Sequence, residues 1–128
     1  MIYVDTSVIL AYLFGEKQRP ASDLWKEQLV TSRLTEYEVW TRVHAVKLGA
    51  TLGETVRQVL HLLAMVELAP PVLARALDPF PAPVRTLDAL HLASMAFLQS
   101  QAVPVRLAAY DGRLVKAAGM LDIEPYKL

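Results

Sequence analysis

Apolar residues open the chain as an unbroken run, Ile2-Tyr3-Val4, which stops on Asp5-Thr6-Ser7. A run without alternation reads as a strand covered on both faces, as in the centre of a parallel sheet. Helical spacing takes over at 6–14, where Gly15 suits a helix end. Pro20 then opens a second helix that carries Leu24, Trp25 and Leu29, and 30–32 is a short strand. A longer amphipathic stretch predicts a helix over 35–48, closed by Gly49. Thr51 and Glu54 have capping-box spacing, so a further helix runs to about Ala64 and a strand follows over 65–69. Pro71 fits the first turn of a helix over 72–77, and Pro79, Pro81 and Pro83 make the next connection stiff and irregular. The remaining pattern predicts a helix from Thr86 or Leu87 to Gln99, a strand over 105–110, a short helix over 112–119 and a final strand over 122–126.

Strands that alternate with helices imply an α/β fold, a central parallel sheet of four to five strands with helices on both faces. The order of strands is not readable from periodicity. Neither repeats nor low-complexity segments divide the chain, and its 128 residues suit one domain spanning 1–128.

Composition removes several classes of function. A hydrophobic content of 54% excludes disorder as the main state. The chain has no cysteine, which rules out disulfides and a thiolate zinc site and fits a reducing cytoplasm. The longest uncharged stretch, 89–105, is interrupted by His91, Ser94, Gln99, Ser100, Gln101 and Pro104, so no membrane span is expected. No secretory signal is visible at the start of the chain, and a soluble, cytoplasmic protein is the expectation. Lys and Arg balance Asp and Glu at 13 each, so a polyanionic partner would have to be gripped locally.

Connectivity gathers four acids. Asp5 and Asp111 each follow a strand, which puts both at the carboxyl edge of a parallel sheet, where open α/β sheets bind ligands. Glu38 lies early in the helix that leaves the 30–32 strand, hence near that edge. The helix carrying Asp88 leads into the 105–110 strand and runs antiparallel to it, so its amino end returns to the same place. Each acid alone has a plain structural reading: Asp5 as a helix cap, Asp88 as a favourable charge at a helix start, Glu38 as a capping-box or Arg42 partner, Asp111 as a turn residue. Jointly they point to a metal site, because clustered carboxylates raise one another's pKa unless a positive charge sits among them. Hard oxygen donors select Mg²⁺ or Mn²⁺ over zinc, and such ions serve phosphodiester hydrolysis with one or two metals.

The blocks Asp5-Thr6-Ser7, 32–39, Leu87-Asp88-Ala89-Leu90-His91-Leu92-Ala93 and 109–114 resemble the PIN-domain family, and the compact form is similar to the VapC-type toxins of toxin–antitoxin modules. The resemblance spans nearly the whole chain. It implies a first strand central between the 30–32 and 105–110 strands and a Mg²⁺- or Mn²⁺-dependent endoribonuclease. It carries the acids over as Asp5, Glu38, Asp88 and Asp111, with Thr6 or Ser7 as polar helpers. A cognate antitoxin that inhibits the enzyme, often through a basic side chain in the acidic groove, and a homodimer are further implications. Some members carry another acid just after the Asp111 position; here Gly112, Arg113 and Leu114 follow.

Other residues are weighed beside these. Glu36 rivals Glu38, but two residues apart on a helix they face opposite ways, and the family's Thr three residues before the acid, here Thr35, favours Glu38. His91 shares a helical face with Asp88 and suits either a general base or a core histidine bonding a neighbour. His44 and His61 read as structural, and Trp25 and Trp40 as packing. Arg113 and Lys116 are the best-placed cations for RNA phosphates, with Arg33, Arg42 and Arg85 behind them. The alternative is a doubly wound, Mg²⁺-dependent phosphoacceptor or regulatory domain. Against it, Asp5 is followed by Thr6 and Ser7 and not by a second acid.

Overall fold

A computed structural model describes all 128 residues, Met1–Leu128. The order of elements is β1 (Ile2–Val4), α1 (Thr6–Leu13), a 3-10 turn (Ser22–Lys26), β2 (Leu29–Ser32), α2 (Arg33–Ala45), α3 (Gly49–His61), β3 (Leu63–Val66), α4 (Pro70–Leu77), α5 (Thr86–Ser100), β4 (Arg106–Ala108) and α6 (Gly112–Gly119). The four strands form one sheet in the order β3-β2-β1-β4, and every pairing is parallel. The opening run Ile2-Tyr3-Val4 is therefore internal, as its lack of polar alternation requires.

Because side chains alternate across a strand, β1 feeds two cores. Ile2 and Val4 pack with Val8, Ile9, Val39 and Val56 from α1, α2 and α3 on one face. Tyr3 packs with Leu92, Met95 and Leu114 from α5 and α6 on the other. Burying each such side chain contributes about 1.5–3 kcal/mol, and truncating fully buried Leu92 to Ala would cost roughly 2–5 kcal/mol. No helix is long and apolar enough to cross a membrane.

Several boundaries differ from the sequence reading. Pro20 leads to only the short 3-10 turn, because Leu29 is drawn into β2 opposite Ile2 and leaves no room for a full helix. Helix α2 starts before Thr35: the Ser32 hydroxyl accepts the Leu34 N–H at 3.0 Å and caps it. The helix also ends earlier than Gly49. The chain turns at Lys47, in the left-handed region (φ 59°), and Gly49 opens α3. A Cβ at Gly49 would meet His44 Nδ1 at 2.9 Å, so any larger residue there would have to push the exposed His44 ring aside. Thr51 and Glu54 consequently lie inside α3 and form no capping box, and β3 begins two residues earlier than the pattern indicates. The last expected strand shrinks to a single bridge between Leu107 and Pro125.

Candidate active site at the carboxyl edge

Asp5 directly follows β1 and caps α1. Its Oδ2 accepts the Ser7 N–H at 3.1 Å and the Ser7 hydroxyl at 2.6 Å. Ser7 Oγ in turn accepts the Tyr110 N–H at 3.0 Å. One serine thus ties the β1–α1 junction to the segment that leads from β4 into α6. Asp111, in that segment, caps α6: its Oδ1 accepts the N–H groups of Arg113 at 3.0 Å and Leu114 at 3.3 Å. Asp5 therefore performs the capping role that the plain reading assigned it, Asp111 caps a helix where a simple turn was expected, and each keeps a second oxygen for other work.

Glu38 reaches the edge from the second turn of α2. Its Oε1 accepts from Thr6 Oγ1 at 2.9 Å and lies 2.6 Å from His91 Nε2. A buried threonine relay supports this corner. Thr31 Oγ1 lies 2.7 Å from both the Val4 carbonyl and Thr35 Oγ1. A carbonyl can only accept, so Thr31 donates to Val4 and receives the Thr35 proton. Thr35, read as marking the helix start, is instead a buried link between β2 and α2. Glu36 points away and pairs with Arg33 at 2.8 Å, which separates it from Glu38 as the helical geometry requires.

His91 is almost fully buried (2% exposed) and uses both ring nitrogens. Nδ1 lies 2.7 Å from Tyr3 Oη and Nε2 faces Glu38, with Asp5 Oδ1 3.9 Å away. Burial pulls the imidazole pKa down, but the hydrogen bond to Glu38 and the charges of Asp5, Glu38 and Asp88 outweigh it, and the net shift is upward. The Tyr3 phenol is held far above its ordinary range by burial first and the Asp5 charge second, so it stays protonated. In either charge state of the ring, Nε2 then carries the proton that Glu38 accepts. A histidine so engaged orients Glu38 and does not act as a free base. Tyr3 and Thr31 were not singled out in the sequence, because a strand residue's partners become visible only when helices dock on it.

Asp88 stands in the first turn of α5, partly buried. Its carboxyl pKa is raised, by desolvation first and then by the negative charge of Asp111, with Asp5 adding to it, while His91 and Arg85 oppose the shift. Each of the four acids is therefore within the electrostatic or hydrogen-bonding reach of another part of the set. Arg113 and Lys116 lie on α6 just beyond Asp111, together with Asp88 along one cavity. Arg33, in contrast, is committed to Glu67 and Glu36, while Trp25 packs against Tyr12 and Trp40 stacks on His44.

The donor chemistry suits a hard divalent cation. Asp5, Glu38 and Asp111 each have one oxygen held by protein donors and a second without one, and Asp88 has neither oxygen held. No three His, Asp or Glu side chains close into a ready cage. Mg²⁺ does not need one, because it is bound through one or two carboxylates and keeps much of its water.

A parallel sheet that brings carboxylates from three strand-to-helix junctions and one returning helix to a single edge defines an α/β domain with an acidic carboxyl edge. The chain belongs to the PIN-domain family, whose model matches residues 2–120. Ribonuclease VapC35 of Mycobacterium tuberculosis is 33% identical, covering 96% of this chain and 93% of the relative. Ribonuclease VapC47 of the same organism is 31% identical over 90% of this chain and 88% of the relative. Among solved structures, a toxin–antitoxin complex from Klebsiella pneumoniae superposes with a TM-score of 0.69 at 18% identity, covering all of both chains. The sarcin–ricin-loop-cleaving toxin VapC20 of M. tuberculosis gives 0.68 at 21% identity, over 98% of this chain and 100% of that one. These two superpositions match the fold. The phosphoacceptor alternative finds no support among these matches.

Proposed function

We propose that this chain is a Mg²⁺- or Mn²⁺-dependent endoribonuclease that hydrolyses RNA phosphodiester bonds in the cytoplasm as the toxin of a toxin–antitoxin pair. The observation that carries the reading is the meeting of Asp5, Glu38, Asp88 and Asp111 at one sheet edge, with the Asp88 carboxyl pushed up by burial and by its acidic neighbours. Membership of the PIN-domain family and the VapC ribonucleases among its relatives support it.

Asp5, Asp88 and Asp111 would hold the ion, with Glu38 completing the set. When bound, the cation supplies positive charge against the developing charge on phosphate and acidifies water in its shell. Ser7 fixes Asp5 Oδ2 and leaves Oδ1, 3.9 Å from His91 Nε2, without a protein donor. Thr6 and His91 fix Glu38 Oε1 in the same way. Arg113 and Lys116, on the helix leaving the site, are the side chains assigned to RNA phosphates. The cognate antitoxin is expected to inhibit by placing a basic side chain among the acids, and the enzyme is expected to be a homodimer.

The test is cleavage of RNA by the purified chain with Mg²⁺ or Mn²⁺. Chelation and Asp5→Asn should each remove nearly all of it, while Asp5→Asn keeps the fold because asparagine is an equally good helix cap. Full activity in purified Asp5→Asn would overturn the assignment. Co-expression with the product of a small open reading frame immediately upstream tests the antitoxin, and sedimentation tests the dimer.

A further inference from the structure

A cavity of about 510 Å³ adjoins the acidic edge, and the residues that decide its chemistry are Val84, Arg85, Asp88, Arg113, Lys116 and Met120. Its volume falls in the range of roughly 300–1,000 Å³ typical of small-ligand sites. Asp88 is shared with the acid cluster, so the cavity continues the cleft. Arg85 immediately precedes α5 and faces the cavity from one side, while Arg113 and Lys116, three residues apart on α6, face it from the other.

None of these three cations stands within ion-pair distance of an acid, although Arg85 acts on Asp88 at longer range. The ion pairs of the chain engage Lys26, Arg33, Arg57 and His91. Arg75 and Arg106 lie over the rings of Phe80 and Tyr126. A chain with zero net charge thus leaves three cations outside ion pairs around one cavity, beside acids that repel any polyanion. Successive phosphates of a strand are one nucleotide apart. A strand whose reacting phosphate lies against Asp88 must put its neighbour into an adjoining space, and this cavity shares Asp88 with the cleft. Val84 and Met120 add an apolar wall, and methionine adapts well to flat, variable surfaces.

We propose that this cavity is a flanking-nucleotide subsite, in which Arg85, Arg113 and Lys116 grip the phosphate next to the one cut and Val84 and Met120 pack against its sugar and base. The proposal rests on the ribonuclease reading and deepens it. It makes Arg85 a substrate-binding residue and gives the enzyme a place where a neighbouring base is sensed.

The test is fluorescence anisotropy of a labelled single-stranded oligoribonucleotide with the full chain in EDTA, followed by steady-state cleavage with Mg²⁺. Arg85→Gln, Arg113→Gln and Lys116→Gln should each weaken binding about 3–10-fold and reduce the slope of log affinity against log salt by about 0.7. KM should rise by a similar factor, with kcat moving less. Met120→Ala should change the preference among oligonucleotides that differ beside the cut, without changing the salt slope. Lys17→Gln and Lys47→Gln, beyond the far ends of α1 and α2, should bind as the parent does. If the parent binds and cleaves RNA while the three cavity variants match these controls, the subsite is wrong and the ribonuclease reading stands. If the parent neither binds nor cleaves RNA, both fall. If the variants lose affinity only for a poly-glutamate peptide and keep it for RNA, the cavity belongs to an acidic protein segment and the proposal is overturned.

Discussion

His91 Nε2 lies 2.6 Å from Glu38 Oε1, a partly buried bond that joins the helix bearing Asp88 to the helix bearing Glu38. The same ring is fastened to the central strand through Tyr3 at 2.7 Å. Strand and both helices are therefore held by one side chain, and the spacing of the acids depends on it.

Tyr3→Phe should expose the value of that fastening. The substitution keeps the ring's packing and leaves Nδ1 of His91 without its partner, a loss of about 1–2 kcal/mol for a buried polar atom. The urea midpoint should fall accordingly, with an unchanged m-value. A midpoint equal to that of the parent would mean that the phenol does not hold the histidine.

Asp88 contributes a pH dependence to the stability of the metal-free protein. Its folded pKa is raised above the ordinary 3.8, so the folded state binds that proton more tightly than the unfolded chain does. Its contribution to stability is greatest at low pH and is lost as pH rises from the ordinary aspartate value through the raised one. Asp88→Asn should therefore melt higher than the parent at pH 7 in EDTA. Partial exposure keeps the gain to roughly 1–4 °C in a chain of this size. The advantage should vanish below the ordinary aspartate pKa, and a variant that melts lower than the parent at pH 7 would contradict the charge argument.

Ser7 connects Asp5 with Tyr110 across the two junctions. Ser7→Ala leaves the Tyr110 N–H unpaired and lets Asp5 turn, at a cost of about 1–2 kcal/mol. Because partners behind a metal ligand tune affinity, Mn²⁺ binding should weaken by about 10-fold or more. Isothermal titration with Mn²⁺ reads this directly, and unaltered affinity would remove Ser7 from its positioning role.

Asp111 combines a cap with a charge, and two substitutions separate them. Asp111→Asn keeps the bonds to Arg113 and Leu114, whereas Asp111→Ala loses them at about 0.5–2 kcal/mol. Both should lose most of the thermal stabilisation by Mn²⁺, which for a native-state ligand at a hundredfold excess over its dissociation constant is about 2.7 kcal/mol. Equal Mn²⁺ shifts in parent and Asp111→Asn would take Asp111 out of the ligand set.

Much of the site was legible before any coordinates. A run without alternation marks a covered strand, and parallel connectivity sends the residue after such a strand to the carboxyl edge; Asp5 and Asp111 follow from that, and Asp88 follows from the return of the helix that leads into the last strand. Helical angle separates Glu38 from Glu36, and the choice between them came from the family resemblance through Thr35. Less legible were the ends of helices, because competing caps differ by only a fraction of a kcal/mol: Ser32 takes the cap of α2 from Thr35, and the turn at Lys47 ends that helix before Gly49.

Local pattern thus determined where the main strands and helices fall and which acids the chain's direction sends to one edge, since periodicity and chain direction are properties of neighbours along the chain. Tertiary packing alone decided the partners of His91, the relay through Thr31 and Thr35, and the meeting of Arg85 with Arg113 and Lys116. Those contacts join side chains far apart in the chain, and their geometry exists only once helices from both faces close on the sheet.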